Sequence, residues 1–195
     1  ATDGVVTATV SNTAIADLAG LTGTGNALTI TVATATVSAS DLITVNAATT
    51  LAVTATAVTR VNGSVEDSLA LITAVNGSEI TGLSTARFVL SDTVSNTTEE
   101  ILQITDFTSG RVTSLVETYV GSVDDFGSVG VADSFLGMIS LQDLTTNSTF
   151  AIVLTEEATV TANALLDILS SIETLDFDVS VDASAVAEIT GTTDD

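Results

Sequence analysis

A short unit recurs along this chain. Recurrence constrains a fold more than any single residue does, because one packing solution must then serve many times. Alternating apolar and polar runs, rich in Val and Thr, occupy Val5–Val10, Leu28–Val37, Leu51–Val61, Phe88–Val94, Val112–Val120, Phe150–Leu154 and Leu175–Val181. Alternation of β-branched residues with polar ones predicts strands. After nearly every run comes a Ser, Thr or Asp and then residues at helical spacing, as an N-cap opening a helix requires. Ser38 with Asp41, Ser64 with Asp67, Thr97 with Glu100 and Ser122 with Asp125 take the capping-box form, which satisfies two otherwise orphaned backbone donors.

Amphipathic spacing predicts helices over Ser64–Val75, with Val65, Leu69, Ile72 and Val75 on one face, and over Thr161–Ile172, with Leu165, Leu169 and Ile172. Thr98–Phe107 is a third, carrying Ile101, Ile104 and Phe107, and shorter helices are expected at Thr13–Leu18, Ser38–Val45, Ser122–Gly127 and Asp182–Ile189. Strand starts near 28 and 51, 87 and 112, and 150 and 175 form pairs 23, 25 and 25 residues apart, so two strand-helix coils make one repeat. The expectation is one elongated domain, 1–195, with a half repeat over 1–26 and repeats over 27–85, 86–148 and 149–195. Leu51–Asp67 and Val112–Asp125 align strand, turn (Asn62-Gly63 or Val120-Gly121) and helix cap in the same order. Asn76–Ala86 and Gly127–Asn147 read as Gly- and Ser-marked loops with room for one more strand each. Such spacing leaves no place for two-residue hairpins and favours parallel pairing through right-handed crossovers. The fold class is therefore α/β, a solenoid of parallel strands with short helices. An antiparallel β-sandwich or a pair of small β-domains is the alternative, since short capped stretches are often turns.

The core this implies is shallow. Hydrophobic residues make up 45% of the 195 residues but aromatics only 4%, leaving Val, Ala, Leu and Ile to fill thin, regular layers. A net charge of −22 with a mean hydropathy of +0.55 describes a folded acidic chain rather than a disordered one. Cys, His, Lys, Pro and Trp are absent. That excludes a disulfide framework, a thiolate nucleophile, a Ser-His triad, imidazole or thiolate metal sites and a lysine Schiff base. No catalytic residue set is expected. Paired carboxylates alone do not make a glycosidase without an aromatic-lined pocket. Twenty-five carboxylates against Arg60, Arg87 and Arg111 repel nucleic acid and anionic membranes, and suit divalent cations or saline surroundings. Solubility is the plainer role of that charge. No run reaches the roughly 18 apolar residues of a membrane helix. A chain that starts at Ala1, without Cys and with a Thr-rich acidic surface, reads as a processed or excised piece of a secreted bacterial protein, extracellular or at the cell surface.

The phrases Leu21-Thr22-Gly23 through Thr29-Ile30-Thr31-Val32, Ser40-Asp41-Leu42 with Asn46-Ala47-Ala48-Thr49-Thr50, and Ile80-Thr81-Gly82-Leu83 resemble repeats of very large secreted or cell-surface proteins of marine picocyanobacteria. The resemblance covers about Gly20 to Val94 and rests on low-complexity wording. It implies a shaft-like role in surface layers, filaments or adhesins, or in the fibres of viruses infecting those cells, and brings no catalytic residue. Beyond Thr97 the chain gains Phe107, Tyr119, Phe126, Phe135, Met138 and Phe150, a half expected to be specialised for contact or capping.

Acidic positions cluster at Glu66-Asp67, Glu99-Glu100, Asp124-Asp125, Glu156-Glu157 and Asp176–Asp182. Strand alternation would set Asp176, Asp178 and Asp182 on one face, where carboxylates suit calcium, although no EF-hand or nonapeptide calcium motif is present. Solvated charge and helix-dipole pairing is the plainer account. No cofactor is required; calcium is the one ion expected. Thr7-Thr9, Thr29-Thr31, Thr34-Thr36 and Thr54-Thr56 suggest a threonine ladder, for which strand propensity is explanation enough. Asn62, Asn76, Asn96 and Asn147 open glycosylation sequons, two of them also plain turn sequences. The three arginines are expected to pair with carboxylates of a neighbouring coil or another subunit. The expected function is a self-associating structural or adhesive module of an extracellular surface layer, filament or fibre, partnered by its own copies or flanking repeats. The alternative is a calcium- or glycan-binding module whose loops, Asn76–Ala86 and Gly127–Asn147, carry recognition.

Overall fold

The computed structural model describes residues 4–128, 130–131, 133–155 and 159–191. The chain is mixed α/β, and the recorded strand pairings are parallel. The antiparallel sandwich is thereby ruled out. Two compact units divide the chain, Ala1–Leu90 with Phe107–Gly110, and Ser91–Asp106 with Arg111–Asp195.

The first unit runs β1 (Thr7–Thr9), α1 (Ile15–Leu18), β2 (Ala27–Thr29), β3 (Thr36–Ser38), α2 (Ala39–Ala47), β4 (Val53–Thr54), β5 (Arg60–Gly63), α3 (Val65–Asn76), β6 (Ile80–Thr81) and β7 (Arg87–Leu90). Each full coil is strand, corner, strand, helix, so the long strands expected over Leu28–Val37 and Leu51–Val61 are each two short ones. The reason is packing. In the second of these runs Val58 N–H closes a turn on Ala55 C=O (3.0 Å), and the bend puts Val53, Ala55, Val58 and Val61 all inside. A straight strand would set Val58 on the face opposite the other three. β3, β5 and β7 form one sheet, with Thr36, Arg60 and Arg87 in register. β4 pairs with β6 and β1 with β2. The expected threonine ladder exists in part, as Thr31–Thr54–Thr81 and Thr9–Thr29. Helices pack side by side, α2 against both α1 and α3, over a core including Leu42, Val45, Leu71, Ile30 and Ile80.

The second unit runs β8 (Ser95–Thr97), α4 (Thr98–Phe107), β9 (Val112–Thr113), β10 (Thr118–Gly121), α5 (Val123–Phe126), α6 (Phe135–Ser140), β11 (Leu144–Thr145), β12 (Thr149–Leu154), β13 (Val160–Thr161), α7 (Ala162–Leu175), β14 (Asp178–Asp182) and β15 (Ile189–Thr190), with Phe107 counted in the first unit. Its main sheet has the order β14-β12-β10-β8, and β9 pairs with β11 and β13 with β15. The loop Asn76–Ala86 holds the extra strand expected of it, β6; Gly127–Asn147 holds β11 and also a helix that spacing had not signalled, α6. The helix expected over Asp182–Ile189 is absent. Asp182 carboxylate accepts from Ser184 N–H at 2.9 Å, an Asx turn that competes with helix initiation, and β15 follows.

The four expected caps are present. Ser38, Ser64 and Ser122 Oγ accept from the N–H groups of Asp41, Asp67 and Asp125 at 3.0, 3.0 and 3.1 Å, and Thr97 Oγ1 from Glu100 N–H at 3.3 Å. The reciprocal bonds are made by Asp125 to Ser122 N–H and by Glu100 to Thr97 N–H. The glycines expected to turn the chain at Asn62-Gly63 and Val120-Gly121 do something else: they end strands β5 and β10. A Cβ on Gly63 would stand 2.9 Å from Ala39 Cβ, and one on Gly121 would overlap Thr98 Oγ1. Ala39 and Thr98 open α2 and α4, so each glycine lets a strand end lie against the first helical residue of the coil before it.

Candidate self-association surface

α7 is the longest helix among the described residues, and its apolar surface is wider than one neighbour can cover. Thr161 Oγ1 caps it, accepting from Ala164 N–H at 3.2 Å. Two overlapping ridges follow, because Leu165-Leu166 and Ile168-Leu169 are doublets. The buried ridge is Ile168, Ser171 and Ile172, packed with α5 and α6 nearby. Leu169, expected inside with Leu165 and Ile172, is instead 52% exposed, and Leu166 is 50% exposed.

Asp176 ends the helix in the left-handed conformation, φ 55°, a place usually given to Gly or Asn. The chain then enters β14, which pairs with β12 from Thr149–Asp178 to Val153–Asp182. β14 is the last strand of its sheet, so among the described residues its other edge has no strand partner. Val179 and Val181 are half-buried, whereas Asp178, Ser180 and Asp182 are exposed. An open depression of about 580 Å³ beside it is lined by Glu117, Thr149, Phe150, Ala151, Asp178 and Ser180. Carboxylates on an edge strand discourage indiscriminate pairing with another edge. The hydrogen bonds from Ser184 hold the Asp182 carboxyl below the usual carboxylate range.

The three aspartates expected to share calcium are not gathered at one point. Asp176 belongs to the helix end, and Asp178 and Asp182 lie at opposite ends of β14, roughly 13 Å apart along a strand. Among the described residues there is no group of three ligating side chains. The carboxylates of Glu100 and Asp125 serve as helix-cap partners, Asp67 contributes its backbone N–H to the Ser64 cap, and Glu156 and Glu157 lie outside the described residues.

Four of the five aromatics expected to make contacts are interior, and Phe107 is half-buried with its ring edge-on to Phe88 at 6.0 Å. Tyr119, Phe126, Phe135, Met138 and Phe150 are all buried. Tyr119 and Phe135 centroids lie 4.5 Å apart, Tyr119 and Phe150 5.2 Å, and Phe126 and Phe135 5.6 Å. Large rings fill the volume that α6 opens in this unit, where small residues would leave voids. α6 buries Phe135, Leu136, Met138 and Ile139, so the middle of the Gly127–Asn147 connection is core, while Gly130, Val131, Asp133 and Leu141–Asp143 are exposed. Burial pushes the Tyr119 phenol up to about 12, and its hydroxyl donates to Ser114 C=O at 2.7 Å.

Of the sequon asparagines, Asn62 accepts from Arg60 Nε, Asn96 is buried against Ser114 Oγ, and Asn147 donates to Leu115 C=O. Asn76 stands exposed at the end of α3. The doublets of α7 were the available signal for Leu166; the open edge of β14 depends on strand order, which no local pattern carries. No described helix is long and apolar enough to cross a membrane. Compared with protein-family models, curated proteins and solved structures, the chain finds no match.

Proposed function

We propose that this chain is a structural module of an extracellular surface layer, filament or fibre, a solenoid that self-associates by extending its parallel strands and helices onto a second copy. The observation that supports this reading most is the end formed by β14 and α7, where among the described residues one strand edge has no strand partner and Leu166 and Leu169 stand half in solvent. Every earlier strand of that sheet is a template for the next, and open stacks need a cap or a copy. A contact joining one end of a chain to a different surface of the next does not close on itself, which makes filaments. The absence of His, Cys and Lys from the sequence favours a scaffold over an enzyme. Net charge opposes assembly, so screening by salt or calcium is the condition that permits it.

Sedimentation velocity over a wide concentration range, with calcium and with a chelator, tests this. The wild-type chain is expected to form concentration-dependent larger species. Leu166→Asp with Leu169→Asp, both exposed in the free chain, should weaken association by about tenfold or more while leaving the thermal transition in place. A wild-type chain that stays monomeric throughout would refute the proposal.

A further inference from the structure

The only two cations of the first unit, Arg60 and Arg87, are direct register partners on adjacent parallel strands. Both are exposed, and neighbouring strands lie roughly 4.8 Å apart, so two guanidinium groups share one small patch. Directly opposed like charges destabilise a sheet. Nothing on these strands offsets them, since β3, β5 and β7 carry no carboxylate: Thr36 flanks the pair in the same row, and the next row is Ser38, Asn62 and Val89. Asn62 Oδ1 accepts from Arg60 Nε at 2.8 Å, which steadies one guanidinium and leaves its two terminal nitrogens for another acceptor.

We infer that the Arg60–Arg87 patch is a docking point for the carboxylates of a second copy of this chain. Paired arginine forks fit carboxylates bidentately, and a copy carrying 25 carboxylates offers many of them. In a surface so acidic, two adjacent arginines give an approaching copy a point of attraction amid repulsion, which sets orientation. The assignment rests on the self-association reading above and adds to it a surface distinct from β14 and α7.

The test compares association of the wild-type chain, Arg60→Gln with Arg87→Gln, and a control of equal net charge, Thr44→Asp with Thr73→Asp on exposed helix positions. The arginine variant is expected to associate at least tenfold more weakly than the control, and Arg60→Lys with Arg87→Lys to fall between it and the wild type. If the wild type assembles and the arginine variant matches the control, the docking assignment is wrong and the self-association reading stands. If the wild type never assembles, both fall. Arginine-dependent binding of dextran sulfate with unchanged self-association would overturn the assignment too, and give the patch to an acidic polysaccharide.

Discussion

Tyr119 is the chain's single tyrosine, which makes it a private probe of the second unit's interior. Buried among Phe135 and Phe150 and donating to Ser114 C=O, its phenol is held neutral well past pH 10, up to about 12. An acid whose folded value is raised stabilises the fold fully below its unfolded value and loses that contribution as pH climbs through the folded one. The expected loss is about 2 to 3 kcal/mol between pH 10 and pH 12, at 1.36 kcal/mol per unit. Tyrosinate absorbance followed by circular dichroism should therefore show ionisation and unfolding together. Ionisation near pH 10 with the fold intact would contradict the burial. Sequence placed this ring in the more aromatic half of the chain but not inside it, because its neighbours come from α6 and β12, distant in the chain.

The elements themselves were largely legible. Capping pairs are local, so Ser38–Asp41, Ser64–Asp67, Thr97–Glu100 and Ser122–Asp125 announced four helix starts that the structure contains. Strand lengths were not, because the corner at Ala55–Val58 is a consequence of wrapping a core and leaves no Gly or Pro behind. Asp176, Asp178 and Asp182 illustrate a second limit: alternation sets the face a residue takes but not its distance along the strand, so Asp178 and Asp182 stand roughly 13 Å apart on β14 while Asp176 closes α7. Gly63 and Gly121 show a third, turn-like in sequence yet placed by interelement contact. Gly121→Ala would drive a methyl group into Thr98, itself buried, and should cost about 1 to 3 kcal/mol in denaturant unfolding. An unchanged midpoint would mean that α4 shifts freely and that the close approach is not required.

For the whole molecule, the balance lies between a sheet edge that invites extension and 22 net negative charges that resist it. Both terms follow from the chain, but only the second can be read from composition. Hydrogen–deuterium exchange tests the proposed extension most directly, because the edge of β14 that has no strand partner among the described residues carries backbone groups that a second copy's strand would protect. With salt screening the charge, amides within Asp178–Asp182 and the α7 segment bearing Leu166 and Leu169 are expected to slow markedly as concentration rises, while β10, already paired on both sides, stays constant. Assembly that leaves the exchange of β14 and α7 unchanged would place the contact elsewhere and contradict the account.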